Sequence, residues 1–255
     1  MSDRNACTLV TGASSGLGRA AAVRLSRNHG LILHGRSPQR LEETRSLCAE
    51  PGKHHLWPFD LSAVSDLAPS LTSLLAGTGC LVDSFVHCAG SVTVLPLRSV
   101  DYGMAQATMN VNFFSALEIV HTLLQKKVNH GALANILFIS SIWSRFGARG
   151  HTVYCASKAA LDGLMRALAV ELAPAVRVNS ILPGAVQTAM AEPGFADPEI
   201  AANLARDYPL GTGVPDDIAD AVEFILSGQA RWITGQQFIV DGGRTTDMSL
   251  KRRDS

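Results

Sequence analysis

The sequence predicts an α/β fold of the doubly wound kind: one seven-stranded parallel sheet with helices on both faces, in a single domain over residues 1–255. Three observations predict it. Short apolar runs alternate with segments of helical period from one end of the chain to the other. The apolar runs do not alternate polar with apolar residues, as befits strands covered on both faces. A glycine-rich loop follows the first run and opens the first helix, an arrangement suited to anions.

In order, strands are expected at 6–10, 31–33, 55–59, 81–87, 135–140, 176–182 and 237–240. Helices are expected at 16–28, 38–49, 62–75, 102–127, 152–173 and 215–227. Pro38 and Pro215 suit first helical turns, and Asp216 and Asp217 add favourable charge to the second of these. Pro174 stops one helix and Pro183-Gly184 stops a strand. The stretch 185–214 holds Pro193, Pro198 and Pro209 and reads as an irregular lid over a site. Residues 245–255, with Lys251, Arg252 and Arg253, read as a flexible tail.

Composition narrows the function. Of 255 residues, 47% are apolar and 17% charged, enough to build a core and too apolar for disorder. Lys+Arg and Asp+Glu each number 22, which disfavours nucleic acid as a partner. No apolar run approaches the roughly 20 residues of a membrane helix. No apolar signal segment precedes the first strand, so a cytoplasmic location is expected. Five cysteines contain no C-x-x-C, and eight histidines no H-x-x-x-H. Reduced thiols and no metal are expected.

The loop reads Thr11-Gly12-Ala13-Ser14-Ser15-Gly16-Leu17-Gly18. Gly12 suits a tight turn, Gly16 a close phosphate, and Gly18 close packing of helix on sheet. At the end of the second strand, an acidic residue would bind a ribose 2′-hydroxyl, and an arginine a 2′-phosphate. This chain has Gly35-Arg36 there. NADP(H) is therefore the expected cofactor, with NAD(H) the alternative if Arg36 is only a solvated charge. Further on, Tyr154 and Lys158 share a helix face at i and i+4. An ammonium beside a phenol favours the phenolate and suits proton exchange with a carbonyl or alcohol.

The G-x-x-x-G-x-G spacing behind Thr11, together with Y-x-x-x-K, resembles the short-chain dehydrogenase/reductase family over almost the whole chain. Its 3-oxoacyl-[acyl-carrier-protein] reductase branch is closest in look. The resemblance implies a Rossmann fold and a catalytic set of Asn112, Ser141, Tyr154 and Lys158. Ser141 would polarise the substrate carbonyl, in preference to Ser140. Asn112, in preference to Asn110, would distort its helix and hold a water linked to Lys158. For the cofactor it implies Gly12, Ser14, Ser15, Gly16, Leu17, Gly18, Arg36, Asp60, Leu61, Ala89, Gly90, Tyr154, Lys158, Pro183, Gly184, Val186 and Thr188. A helix N-cap is the competing reading of Asp60.

Where the family has Asn-Asn-Ala-Gly, this chain has His87-Cys88-Ala89-Gly90. A satisfied buried histidine and a small buried cysteine are expected there. Ser141, Trp143 and Tyr154 are the expected substrate contacts, with Phe146, Met190 and Phe195 as further apolar wall. Arg145 and Arg149 either meet an anionic group or face solvent. The arginine expected near Pro174 in carrier-protein users is missing, so an acyl-carrier-protein substrate stays an alternative to a small carbonyl or alcohol. The resemblance also implies a homodimer or homotetramer through Leu117, Val120, Leu124, Leu164 and Leu168, against ordinary packing within one chain. A non-catalytic nucleotide-binding regulator, or a lyase or epimerase using the same Tyr–Lys pair, are the other readings.

Overall fold

The computed structural model describes residues 5–246. The terminal segment with Lys251, Arg252 and Arg253 lies outside the described residues. The elements are β1 (Ala6–Thr11), α1 (Gly16–Leu25), β2 (Gly30–Gly35), α2 (Pro38–Leu47), β3 (His55–Pro58), α3 (Val64–Thr78) and β4 (Leu81–His87). There follow α4 (Tyr102–Met109), a π-helical turn Asn110–Phe114, α5 (Ser115–Leu124), α6 (Lys126–Asn129), β5 (Asn135–Ile139) and α7 (Thr152–Glu171). The chain continues through β6 (Arg177–Pro183), α8 (Glu192–Ala196), α9 (Pro198–Asp207), α10 (Pro215–Leu226) and β7 (Gln237–Val240).

The seven strands form one sheet in the order β3-β2-β1-β4-β5-β6-β7, and every neighbouring pair is parallel. The chain winds outward from β1 to β3, then returns to β4 on the other side of β1. That reversal opens a crevice beyond the C-terminal ends of β1 and β4. Successive residues of β1 bury on opposite faces. Leu9 joins Phe85, Phe138 and Val178 under α3, α5 and α7. Val10 joins Leu33, Leu137 and Ile181 under α1 and α10.

Several boundaries differ from expectation, each for a local reason. The helix expected over 102–127 is interrupted: the Ser115 N–H reaches back five residues to the Asn110 carbonyl, and Gln125 leaves the helical region. The 185–214 stretch carries two helices. Asp197 starts α9, its carboxylate accepting from the Glu199 and Ile200 N–H groups, with Pro198 in the first turn. Asp60 does not cap α3, which starts at Val64; its carboxylate accepts from the Ser62 N–H at 2.9 Å in a separate turn. Val120 and Leu168 are buried in the chain's own core, so ordinary packing holds for them, while Leu117 and Leu124 stay partly exposed. Among the described residues, no helix is long and apolar enough to cross a membrane.

Two buried histidines tie strand ends to the loops that follow. His34 on β2 accepts from the Gly12 N–H through Nδ1 (3.4 Å) and donates from Nε2 to the Phe59 carbonyl (3.1 Å). At the end of β4, His87 Nδ1 lies 3.0 Å from the Thr11 hydroxyl, which itself accepts from the Ala89 N–H at 3.2 Å. The hydroxyl thus joins His87 to Ala89, and burial keeps the imidazole neutral. The expected full satisfaction of His87 is not met. Nε2 faces the Val111 and Asn112 backbone without closing a bond of ordinary geometry.

Burial pushes His34 down to about 4 and, with the Lys158 charge, His87 down to about 3. In the unfolded chain both protonate near pH 6.5. Between these limits the unfolded state binds more protons, so stability is complete above about pH 6.5 and falls as pH drops toward 4. Urea unfolding over that range is expected to show a slope approaching about 1.4 kcal/mol per pH unit for each histidine. The substitution His87→Asn should remove one share, and an unchanged slope would exclude His87 as a titrating group.

Candidate active site

At the crevice lies an open cleft of about 330 Å³. One part of its wall is the loop after β1: Gly12, Ser14, Ser15, Gly16, Leu17 and Gly18. Gly12 has φ +69°, and a Cβ there would sit 2.9 Å from the Ala89 N and Cα. At Gly18 a Cβ would come within 2.2 Å of the Gly12 carbonyl oxygen. Only glycine lets this loop curl and α1 dock against it. The N-cap of α1, Ser15, makes no side-chain cap bond, and the first turn carries no acidic residue. The helix therefore presents N–H groups and positive field to the cleft, which fits a pyrophosphate.

A second part comprises Gly35, Arg36, Asp60 and Leu61, beyond β2 and β3. The Ser62 N–H bond, with help from the Arg36 charge, holds the Asp60 carboxyl below its ordinary value. Ala89 and Gly90 line the floor. At the far end stand Tyr154, Lys158 and Thr188. Pro183, Gly184 and Val186 are not among the lining residues. A Cβ at Gly184 would meet Tyr208 at 2.8 Å and Asp241 at 2.9 Å, and Val186 pairs with Gly213, so these residues anchor the segment that brings Thr188 in.

Tyr154 and Lys158 project from α7, whose first two turns run beside the end of β5. Lys158 is buried; its ammonium lies 5.8 Å from the Tyr154 ring centroid and donates to the Ile139 carbonyl at 2.8 Å. Ser141, in the turn after β5, is buried, and its hydroxyl accepts from the Trp143 N–H at 3.2 Å. Asn112 sits inside the π turn and is fully buried. Its Oδ1 accepts from the Ser91 N–H at 2.7 Å, while Nδ2 donates to the Ser91 carbonyl at 3.0 Å and the Ser157 hydroxyl at 2.9 Å. Asn110 turns elsewhere, donating to the Ser62 carbonyl at 3.0 Å.

The phenol differs from expectation. Burial pushes Tyr154 up to about 12, against a smaller opposing effect of the Ser141 hydroxyl. Burial also lowers Lys158 to about 8, with Asp162 and Cys88 partly offsetting it. Desolvation outweighs the attraction between ammonium and phenolate here.

Trp143 stands edge-on to Tyr154 at 6.2 Å between centroids, and His151 is 4.2 Å from Trp143. Met190 lines the cleft, while Phe146 and Phe195 are not among its lining residues. Arg145 bonds the Gln237 side chain, and Arg149 is exposed. Cys88, expected to be buried, is partly exposed and lines the cleft. Sequence reasoning missed His34, Ser91, Val111, Ile139 and Ala189 as lining residues. Their signal was position: His34, Ile139 and Ser91 lie at or just beyond strand C-termini, where a parallel sheet opens its crevice.

Comparison with known proteins extends the match from the site to the whole chain. Residues 12–245 fit the family model described as enoyl-(acyl carrier protein) reductase. The D-erythrulose reductase of Gallus gallus is 32% identical over 247 residues, covering 95% of this chain and 97% of that protein. The L-rhamnose 1-dehydrogenase (NAD(P)(+)) of a Sphingomonas species is 30% identical over 240 residues, covering 92% and 94%. A short-chain type dehydrogenase/reductase from Mycobacterium ulcerans superposes with a TM-score of 0.85 at 30% identity, over 96% of this chain and 92% of that one. With a parallel seven-stranded Rossmann sheet, a glycine loop on its first strand and likeness of this extent, the chain belongs to the short-chain dehydrogenase/reductase family of oxidoreductases.

Proposed function

We propose that the protein is an NADP(H)-dependent carbonyl reductase of small, polyhydroxylated ketones or aldehydes. The observation that carries this reading is one continuous cleft with an anion-binding helix end, Arg36 and the Tyr154–Lys158 pair along its length. When bound, the nicotinamide supplies the hydride that reduces the substrate carbonyl carbon.

The chain's own residues supply the rest. The α1 N-terminus binds the pyrophosphate, and Ala89 and Gly90 admit the ribose by close backbone approach. Arg36 bonds a 2′-phosphate with charge-assisted hydrogen bonds. Pro183, Gly184 and Val186 hold the segment that carries Thr188 to the nicotinamide end. Ser141 donates to the carbonyl oxygen and polarises it. Tyr154, protonated through neutral pH because its phenol is pushed up to about 12, gives its proton to that oxygen. Lys158 and Ser141 then stabilise the phenolate. The π turn at Asn112 leaves the local helix geometry distorted beside Lys158, which supports a water relay that returns the proton.

A small polar substrate is favoured by the relatives, one named for a tetrulose and one for a deoxysugar. The rings of Trp143 and His151, tilted by 59° to each other, put aromatic surface near Tyr154 against which such a substrate can pack. A 3-oxoacyl-[acyl-carrier-protein] substrate is the second reading, favoured by the acyl-carrier-protein description of the matching family model. Self-association to a homodimer or homotetramer is supported by the partly exposed Leu117 and Leu124.

Three outcomes test this. Consumption of NADPH with erythrulose should exceed that with an acetoacetyl thioester by at least about tenfold in kcat/KM; the reverse order installs the second reading. Tyr154→Phe should lower kcat by at least about 100-fold and leave NADPH affinity, read by fluorescence titration, within about threefold. Retained turnover would remove Tyr154 from the proton step. Arg36→Asp should lower the NADPH-to-NADH affinity ratio by roughly 10- to 100-fold, and an unchanged ratio would show that another residue reads the 2′-phosphate.

A further inference from the structure

Far from the cleft, at the N-terminal end of the sheet, two cysteines share one face of adjacent strands. Cys7 lies on β1 and Cys80 directly precedes β4. Cys7 is paired with Val82, so Cys80, two residues before Val82, stands diagonal to it on the same face. Both side chains are buried, at 2% and 1% exposure, and their sulfurs are 3.0 Å apart. Gly30 on β2 leaves room for this approach: a Cβ there would sit 3.3 Å from the Cys7 sulfur.

The pair is polarised. The Cys7 thiol donates to Cys80, and the Asn5 amide donates to the same sulfur at 3.7 Å. The bond from Cys7, with help from the Thr78 hydroxyl and the His55 charge, brings the Cys80 thiol down to about 6. That same bond, burial and the Asp83 charge push Cys7 up. Cys80 is thus the more acidic thiol of the pair, and Cys7 holds its proton more tightly. Two other thiols are less reactive: burial raises Cys48 and pushes Cys88 up to about 12.

The geometry points to a redox-active dithiol at this site: Cys7 and Cys80 react with a hydroperoxide and close to a disulfide that joins β1 to β4 across 73 residues of chain. Cys80 gives its proton to solvent and attacks one oxygen of hydrogen peroxide; the O–O bond breaks, Cys80 becomes a sulfenic acid, and the hydroxide that leaves takes a proton from solvent as the first water. The Cys7 sulfur then attacks the Cys80 sulfur; the S–S bond forms, the S–O bond breaks, and the Cys7 proton leaves with the hydroxyl as the second water. Two thiols lose two electrons and two protons, and the peroxide is reduced to two waters. Closure needs the sulfurs to move together by about 1 Å. The β1–β4 register already shifts between Cys7 and Thr8, where the ladder has slack.

The test treats the full chain with equimolar hydrogen peroxide, alkylates free thiols and maps peptides without reductant. The expected result is a Cys7–Cys80 linked pair, with an unfolding midpoint roughly 5–10 °C higher that dithiothreitol reverses. In Cys7→Ser, whose hydroxyl can still donate to Cys80, Cys80 should instead appear as a dimedone-trapped sulfenic acid; Cys7→Thr keeps the donor and gives the same readout if the serine variant folds poorly. Cys7 and Cys80 that stay alkylatable after peroxide, or a linkage through Cys48, Cys88 or Cys155, overturn the proposal. So does an unchanged midpoint in the linked protein.

Discussion

The loop after β1 and the segment after β4 meet backbone to backbone, with so little room that a Cβ at Gly12 would lie 2.9 Å from Ala89. Every wall of the cleft depends on that contact. It sets where α1 begins, and so where the unpaired N–H groups point. It also fixes Ala89 and Gly90 beneath the site. The Thr11 hydroxyl locks the contact from below by bonding both Ala89 and His87. Had the two central strands been joined in sequence, there would be no crevice to line.

Burial then shapes the chemistry. Lys158 lies under the Ile139 carbonyl and Tyr154 stands in the same low-dielectric end of the cleft. Both neutral forms are favoured by desolvation, the phenol rising and the ammonium falling. The Asn-Asn of the family is replaced by His87-Cys88 here, yet the strand ends remain braced, because a neutral imidazole shares a hydrogen bond with the Thr11 hydroxyl as an amide would.

The seven-stranded parallel sheet and the cleft were legible because their signals are local and chemically narrow. The glycine loop, Arg36 and the Tyr154–Lys158 spacing each depend on residue types that few other contexts require. What sequence reasoning misjudged depended on neighbours distant in the chain. Asp197-Pro198 is a plain helix start, but proline-rich surroundings hid it. Val120 and Leu168 read as surplus apolar surface until the sheet covered them. His34 gave no sign of its role, since the Gly12 N–H and Phe59 carbonyl it links come from two other segments. The rise of the Tyr154 phenol depends on burial, which no spacing reveals.

The π turn at Asn110–Phe114 has a consequence for the helix that contains it. One added residue in a helix turns everything beyond it by about 100°. The segments before and after the turn therefore answer to different partners. Upstream, α4 packs beside α7 and buries only Thr108. Downstream, α5 directs Ile119, Val120 and Leu123 into the sheet's core and lies against α3. A helix of uniform pitch could satisfy one of these neighbours but would present the wrong face to the other. The bulge acts as a phase shifter, and Asn112 stands at the point where the two registers change over.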